Sequence, residues 1–188
     1  MRLKIPGIFA ATMLAAFLLQ PTHATTVLQM TLDDLTSRAD RVFRGNVMSA
    51  EPGSTEVGGG SVPTVTYKLL VDERFKGDYP SGEGKVVVTV TMLGSLKKGG
   101  DVVNGQRHFT ALPDLPELSV GQDYVLFTTK PSAVGLSTTV GLGQGAFKIY
   151  MSPDREELAA NELNNAGLFD GPVNYSTLAN AIRVAVRN

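Results

Sequence analysis

The sequence predicts an α+β domain, mainly β, of the sandwich or small-barrel kind. Three observations point there: short segments in which apolar and polar residues alternate, glycine- and proline-rich turns between them, and amphipathic helical patterns confined to the two ends. Ahead of these elements lies a different kind of segment. Arg2 and Lys4 precede an apolar run from Ile8 to Leu19, and Thr22-His23-Ala24 places small residues three and one positions before a cut, the pattern of a cleaved export signal over residues 1–24. The mature chain is expected to begin at Thr25 and to work in the periplasm or outside the cell.

Taking the elements in order, Thr31 can cap a short helix from Leu32 to Ala39, with Asp33 and Asp34 well placed in its first turn. Arg41 to Ala50 has extended character, with Phe43, Gly45 and Val47 on one face and Val42 and Met48 on the other. Gly45 inside it predicts a bulge or sharp bend. Thr64 to Asp72 is the clearest strand, since Val65, Tyr67, Leu69 and Val71 alternate with polar residues at the period of two that half-buried strands show. In Lys85 to Met92, Val86, Val88, Val90 and Met92 share one face. Tyr124 to Thr129 is apolar on both faces and is expected at the centre of a sheet. Leu136 to Leu142 and Ala146 to Tyr150 complete a predicted set of strands.

Two connections read as mobile loops. Glu51 to Val62 carries Pro52, Gly53 and Gly58-Gly59-Gly60, and glycine loses the most backbone freedom on ordering. Leu93 to Leu118 is long and irregular, and long connections in a compact domain tend to serve function. Ser152-Pro153-Asp154-Arg155-Glu156-Glu157 has the cap, proline and acids of a helix start. Ser176 is placed to cap a last helix, in which Leu178, Ala181, Ile182, Ala185 and Val186 form one apolar stripe. The predicted organisation is a leader over 1–24, a β domain with its amino-terminal helix over 25–150, and a helical segment over 151–188 packed on it.

Composition narrows the chemistry. Arg2 and Lys4 leave with the leader, so 15 basic residues face 18 acidic ones and the mature net charge is −3. No lysine or arginine run exceeds Lys97-Lys98, which argues against nucleic acid and anionic membranes as partners. No apolar stretch after Leu19 approaches the roughly 20 residues a spanning helix needs. The chain has no cysteine, which removes thiol catalysis and thiolate metal sites. His23 belongs to the leader, leaving His108 as the single imidazole. Multi-histidine zinc sites are thereby excluded, and no cofactor or resident metal is expected.

Each remaining candidate has a plain structural explanation beside its chemical one. Gly141-Leu142-Gly143-Gln144-Gly145-Ala146 fits the spacing of a dinucleotide-binding turn, but that turn must open a helix and here a strand follows, so the glycines read as turn residues. His108 lies beside Arg107, with Asp101, Asp114 and Glu117 in reach of a general-base arrangement, yet no serine sits in a nucleophile elbow. A lone loop histidine is more often a surface or packing residue. Asp33-Asp34 and Glu156-Glu157 are explained by helix starts. Asn174-Tyr175-Ser176 matches a glycosylation sequon, with the serine better used as a cap. The mature amino terminus is the least obvious candidate: an α-amine titrating near pH 8 can ligate a metal together with its own carbonyl.

The order of segments Ala39-Asp40-Arg41-Val42-Phe43-Arg44-Gly45-Asn46-Val47, then Tyr67-Lys68-Leu69 running to Phe75-Lys76-Gly77, then Gly121-Gln122-Asp123-Tyr124-Val125-Leu126-Phe127 resembles the netrin-like domain of tissue inhibitors of metalloproteinases. It is also similar to uncharacterised exported bacterial proteins of this layout. The resemblance spans roughly Val27 to Tyr150, and its most specific piece is the Phe-Lys-Gly turn after an alternating strand. It implies a five-stranded OB-like barrel with helices packed against it. It also implies an inhibitor that inserts its free amino terminus into a protease cleft, where amine and carbonyl chelate the catalytic zinc. That family uses an amino-terminal cysteine fixed by disulfides. Thr25 would take its place here, followed by Thr26 and Val27, with main-chain atoms doing the chelation.

The reading that follows is an exported, non-catalytic protein-binding domain, an inhibitor or partner of a secreted metalloprotease, that binds through Thr25, Thr26 and Val27 at its amino terminus together with the loops Glu51 to Val62 and Leu93 to Leu118. The alternatives are a hydrolase using His108 and a carbohydrate- or ligand-binding module. The latter is disfavoured by the absence of tryptophan, since sugar faces commonly stack on aromatic rings.

Overall fold

A computed structural model describes residues 28–80, 85–96, 101–103, 106–108 and 115–187. Helix α1 (Leu32–Arg38) starts where the sequence predicts. Thr31 Oγ1 accepts from the Asp34 amide while the Asp34 carboxylate accepts from the Thr31 amide, a reciprocal capping box that satisfies two orphan donors of the first turn. Strands β1 (Arg41–Val57), β2 (Gly60–Lys76), β3 (Val86–Leu93), β6 (Asp123–Thr128), β7 (Ala146–Met151), β8 (Glu157–Ala160) and β9 (Val173–Asn174) form one antiparallel sheet in the order β3-β2-β1-β6-β7-β8-β9. Strands β4 (Asp101–Val103) and β5 (Gln106–His108) make a separate small hairpin. Helix α2 (Tyr175–Arg187) closes the chain.

The two faces of the sheet bury different partners. Phe43, Val47, Val65, Tyr67, Leu69, Val88, Val90, Met92, Tyr124 and Leu126 gather on one side into a core made by strands. Val42, Val125, Phe127, Phe147, Ile149 and Ala159 meet Leu35 of α1 and Leu178 and Ile182 of α2 on the other. Strand β6 alternates between them, with Tyr124 and Leu126 in the first core and Val125 and Phe127 in the second, as its two-sided apolar sequence predicts. It lies centrally between β1 and β7. Gly45 sits at a register shift between β1 and β2, and a Cβ there would meet the Leu70 carbonyl oxygen at 2.8 Å. The predicted bulge is present, and it lets two backbones approach where a larger residue would not fit.

Four expectations are corrected. Glu51 to Val62 is no loose loop: β1 and β2 run on past the sheet as a two-stranded ribbon, joined at Gly58 and Gly59, whose φ angles of 60° and 83° suit the tight turn between twisted strands. Glycine here enables order instead of opposing it. Leu136 to Leu142 is not a strand: it makes one bridge, Thr139 to Thr128, and turns into a 3₁₀ helix over Leu142–Gly145. The Ser137 amide also donates to the Thr91 carbonyl of β3 at 2.8 Å. Ser152 to Glu157 starts no helix. Met151 pairs with Glu157 across a hairpin turn in which Ser152 Oγ accepts from the Glu156 amide and Arg155 takes a left-handed conformation, so the proline and acids serve a turn. Finally, α2 begins at Tyr175, placing Ser176 inside the first turn and not at the cap.

The Leu93 to Leu118 stretch holds the β4–β5 hairpin, and its remainder lies partly outside the described residues. Residues 151–188 contribute β8 and β9 to the sheet as well as α2. No helix among the described residues is long and apolar enough to cross a membrane.

Candidate functional site

The sequence-predicted residues Thr25, Thr26 and Val27, and the leader before them, lie outside the described residues. The chain enters at Leu28, and what holds it there is Gln144. The Gln144 side chain is buried. Its Oε1 accepts from the Met30 amide at 2.9 Å, and its Nε2 donates to the Leu28 carbonyl at 3.0 Å and to the Gly141 carbonyl at 3.3 Å. One amide thus pairs with the entering backbone as a neighbouring strand would, satisfying a donor and an acceptor at once.

Glycines on either side make this possible. Gly141 takes a left-handed conformation, φ 64°, and a Cβ there would come within 2.7 Å of Met30 Sδ. A Cβ on Gly143 would collide with the Glu162 side chain, and one on Gly145 with the Val140 carbonyl oxygen. The knuckle is therefore packed on several sides, and Met30 seals it as part of the helix-side core. Gln29, next to Met30, rests against Gly167.

Behind Gln144 the polar contacts continue inward. Asn161 Nδ2 donates to the Gln144 carbonyl at 3.1 Å, while Asn161 Oδ1 accepts from the Leu163 and Asn165 amides. Asn165 is fully buried, with Oδ1 accepting from the Asn161 amide and Nδ2 donating to the Ala159 and Gly171 carbonyls. Every amide atom of this chain has a partner, the condition under which a buried polar network rigidifies a fold. It connects the amino-terminal segment, the knuckle and the turn after β8 into one unit.

A hollow of about 280 Å³ opens beside this segment, lined by Leu28, Met30, Arg38, Val140, Gly141, Leu142 and Gln144. Leu28 is 81% exposed although its carbonyl is held. A second cleft, about 340 Å³, lies past the knuckle, with Lys148 and Tyr150 of β7, Tyr124 of β6 and Glu117 among its walls.

The largest charged cluster among the described residues is elsewhere. Arg44 on β1 pairs in a bidentate fashion with Glu157, Nη1 at 3.0 Å and Nη2 at 2.7 Å, and reaches Asp123 at 2.9 Å while lying 4.4 Å over the Tyr175 ring. The Arg44 hydrogen bonds hold the Glu157 carboxyl below the usual carboxylate range. Burial pushes the Asp123 carboxyl up, but hydrogen bonds from Asn46 and Arg44, with the Arg44 charge, outweigh it and hold the group down. Tyr175 in turn donates to Glu73, which also pairs with Arg183. This network ties β1, β6, β8 and α2 together and uses up its own charges, the arrangement of a structural tie.

His108 falls on β5, where its Cα pairs with that of Asp101 across the small hairpin; Asp114 lies outside the described residues. Among the described residues no group of three or more His, Asp or Glu side chains is gathered to hold a metal ion. The glycine-rich segment at 141–146 is a turn and short 3₁₀ helix followed by β7, as expected for turn residues, and one member of it also holds the segment from Leu28 to Met30. That member is Gln144. The signal that could have found it is an amide flanked by glycines in an otherwise apolar stretch, since a polar side chain buried there must have found partners.

No protein-family model matches the chain, and no curated protein matches it.

Proposed function

We propose that the mature chain is an exported, non-catalytic protein-binding domain on an OB-like, netrin-like barrel, and that its amino-terminal segment docks into the cleft of a secreted zinc protease. The observation that carries this reading is the Gln144 clamp. An inhibitor working through its terminus must hold that terminus still, because ordering a frayed segment on binding weakens affinity. The resembled family uses disulfides for this; a chain without cysteine needs another device, and three hydrogen bonds from one buried amide to Leu28, Met30 and Gly141 supply one. Thr25, Thr26 and Val27 are then the inserting residues, and Thr25 supplies the chelating amine and carbonyl.

The barrel reading is supported by the link from Ser137 to Thr91 on β3 together with the bridge from Thr139 to Thr128 on β6, which join the two flanks of the β1–β2–β3 meander. Export is supported by the leader pattern of residues 1–24.

The mature protein beginning at Thr25, incubated with secreted zinc proteases, tests the proposal. Inhibition is expected, to be abolished by one extra residue before Thr25 and weakened about ten-fold by Gln144→Ala, the loss of roughly one hydrogen bond's worth of ordering. Absence of inhibition, or indifference to the extra residue, sinks it. A hydrolytic activity lost in His108→Ala would favour the enzyme alternative instead.

A further inference from the structure

We infer that the hollow beside the amino-terminal segment receives, from the protein partner, an apolar side chain followed directly by a carboxylate. The inference rests on the docking role just proposed and adds what the partner must present next to its cleft. Four observations lead to it.

The hollow has the right size and lining. Its volume of about 280 Å³ exceeds the roughly 150 Å³ that accommodates a benzene-sized group, so one large side chain enters without rearrangement. Its walls are the side chains of Leu28, Met30, Val140 and Leu142, with the bare backbone of Gly141 between them. Leu28 stands in water on a backbone held by Gln144, so the fold fixes this leucine without burying it. Leu142 is kept in a left-handed conformation, φ 58°, which a leucine rarely adopts; Thr139 Oγ1 donates to its carbonyl at 2.6 Å and holds it there. An apolar wall is thus maintained at the mouth where the local backbone preference is against it.

Charge then names the second element. Arg38, in the last turn of α1, is the only charged residue among the lining residues. Its charge acts on the Asp34 carboxylate one turn back in α1, a long-range interaction that leaves its guanidinium donors open to a ligand, in contrast to Arg44 and Arg183, whose guanidinium groups are held in close ion pairs. A cation at the rim of an apolar hollow favours a carboxylate placed one residue beyond the inserted side chain. Arg38 is exposed, so its change to glutamine leaves the fold standing.

Two acetylated and amidated pentapeptides, Gly-Gly-Leu-Asp-Gly and Gly-Gly-Leu-Asn-Gly, titrated into the full mature protein test this by amide NMR. The aspartate peptide is expected to shift the amides of Leu28, Met30, Leu142 and Gln144, saturating at millimolar concentration as so few contacts allow. The asparagine peptide should bind about three-fold more weakly, and Arg38→Gln should erase that difference. A Leu142→Ser variant should weaken both peptides. No shift at those amides, or equal binding of the two peptides to the parent protein, overturns the inference. An extra residue before Thr25 leaves the peptide titration unchanged while removing protease inhibition, so the pocket and the docking role can fail separately.

Discussion

Gly58-Gly59-Gly60 and the knuckle at Gly141 to Gly145 hold three glycines each and have opposite surroundings. A Cβ added at Gly58 or Gly59 would meet nothing within 4 Å. One added at Gly143 or Gly145 would collide with Glu162 or with the Val140 backbone. In the first segment glycine is present for its backbone angles, at the tip of a ribbon whose strand residues from Thr55 to Val62 pair with each other and with no third strand. In the second it is present because space has run out, where the amino-terminal segment, the knuckle and the turn after β8 converge. Composition alone does not separate these cases; the neighbours do.

The largest effect that would break this contrast is at Gly145. Gly145→Ala should cost about 3 kcal/mol, because the clashing atom belongs to backbone and cannot swing aside. Chemical denaturation of the two proteins measures it, and a cost below 1 kcal/mol would mean the knuckle is looser than its contacts imply. Gln144→Ala should cost about 2 to 3 kcal/mol, since the Met30 amide and the Leu28 carbonyl lose their partner together. Hydrogen exchange at Met30 should accelerate far more than at β6, which localises the loss to the entry segment.

Ion pairs sharpen the same contrast at a smaller scale. Glu157 and Asp123 titrate below their ordinary values in the folded protein, so their contribution is complete above the unfolded carboxylate pKa and disappears as pH falls through the lower folded values. Stability should therefore decline between about pH 5 and pH 2, and Arg44→Met should flatten that decline by about 1 kcal/mol, a figure reduced for the partial exposure of Glu157. The Lys68–Glu51 pair near the ribbon is exposed on both sides; Lys68 holds the Glu51 carboxyl below its ordinary range, so Lys68→Met should flatten the same decline, by less than Arg44→Met does because solvent screens the pair. The smallest effect belongs to Gly58→Asn, within about 0.5 kcal/mol, because asparagine tolerates the left-handed turn and nothing crowds it.

Much of the fold was legible because burial wrote a period into the chain. The alternation of Val65, Tyr67, Leu69 and Val71 gave β2, the two-sided apolar run from Tyr124 gave the central strand, and the spacing of Leu178, Ile182 and Ala185 gave the last helix. Errors fell where the deciding interaction is distant. The ribbon beyond Glu51 has polar, exposed residues and is held by cross-strand pairing with residues of β2, which no local pattern reports. Pro153 and the acids after it suit either a helix start or a turn, and pairing of Met151 with Glu157 chooses the turn. Of the site, Thr25, Thr26 and Val27 lie outside the described residues, and the anchor of the segment after them was not legible, because the residue that holds Met30 stands 114 positions away.

That separation has a consequence for how the protein is made. With synthesis at roughly 5 to 20 residues per second, Gln144 follows Met30 by roughly 6 to 23 s. Throughout that interval the stretch from Leu28 to Met30 lacks its Gln144 partner, so its position is set only after most of the chain has been made.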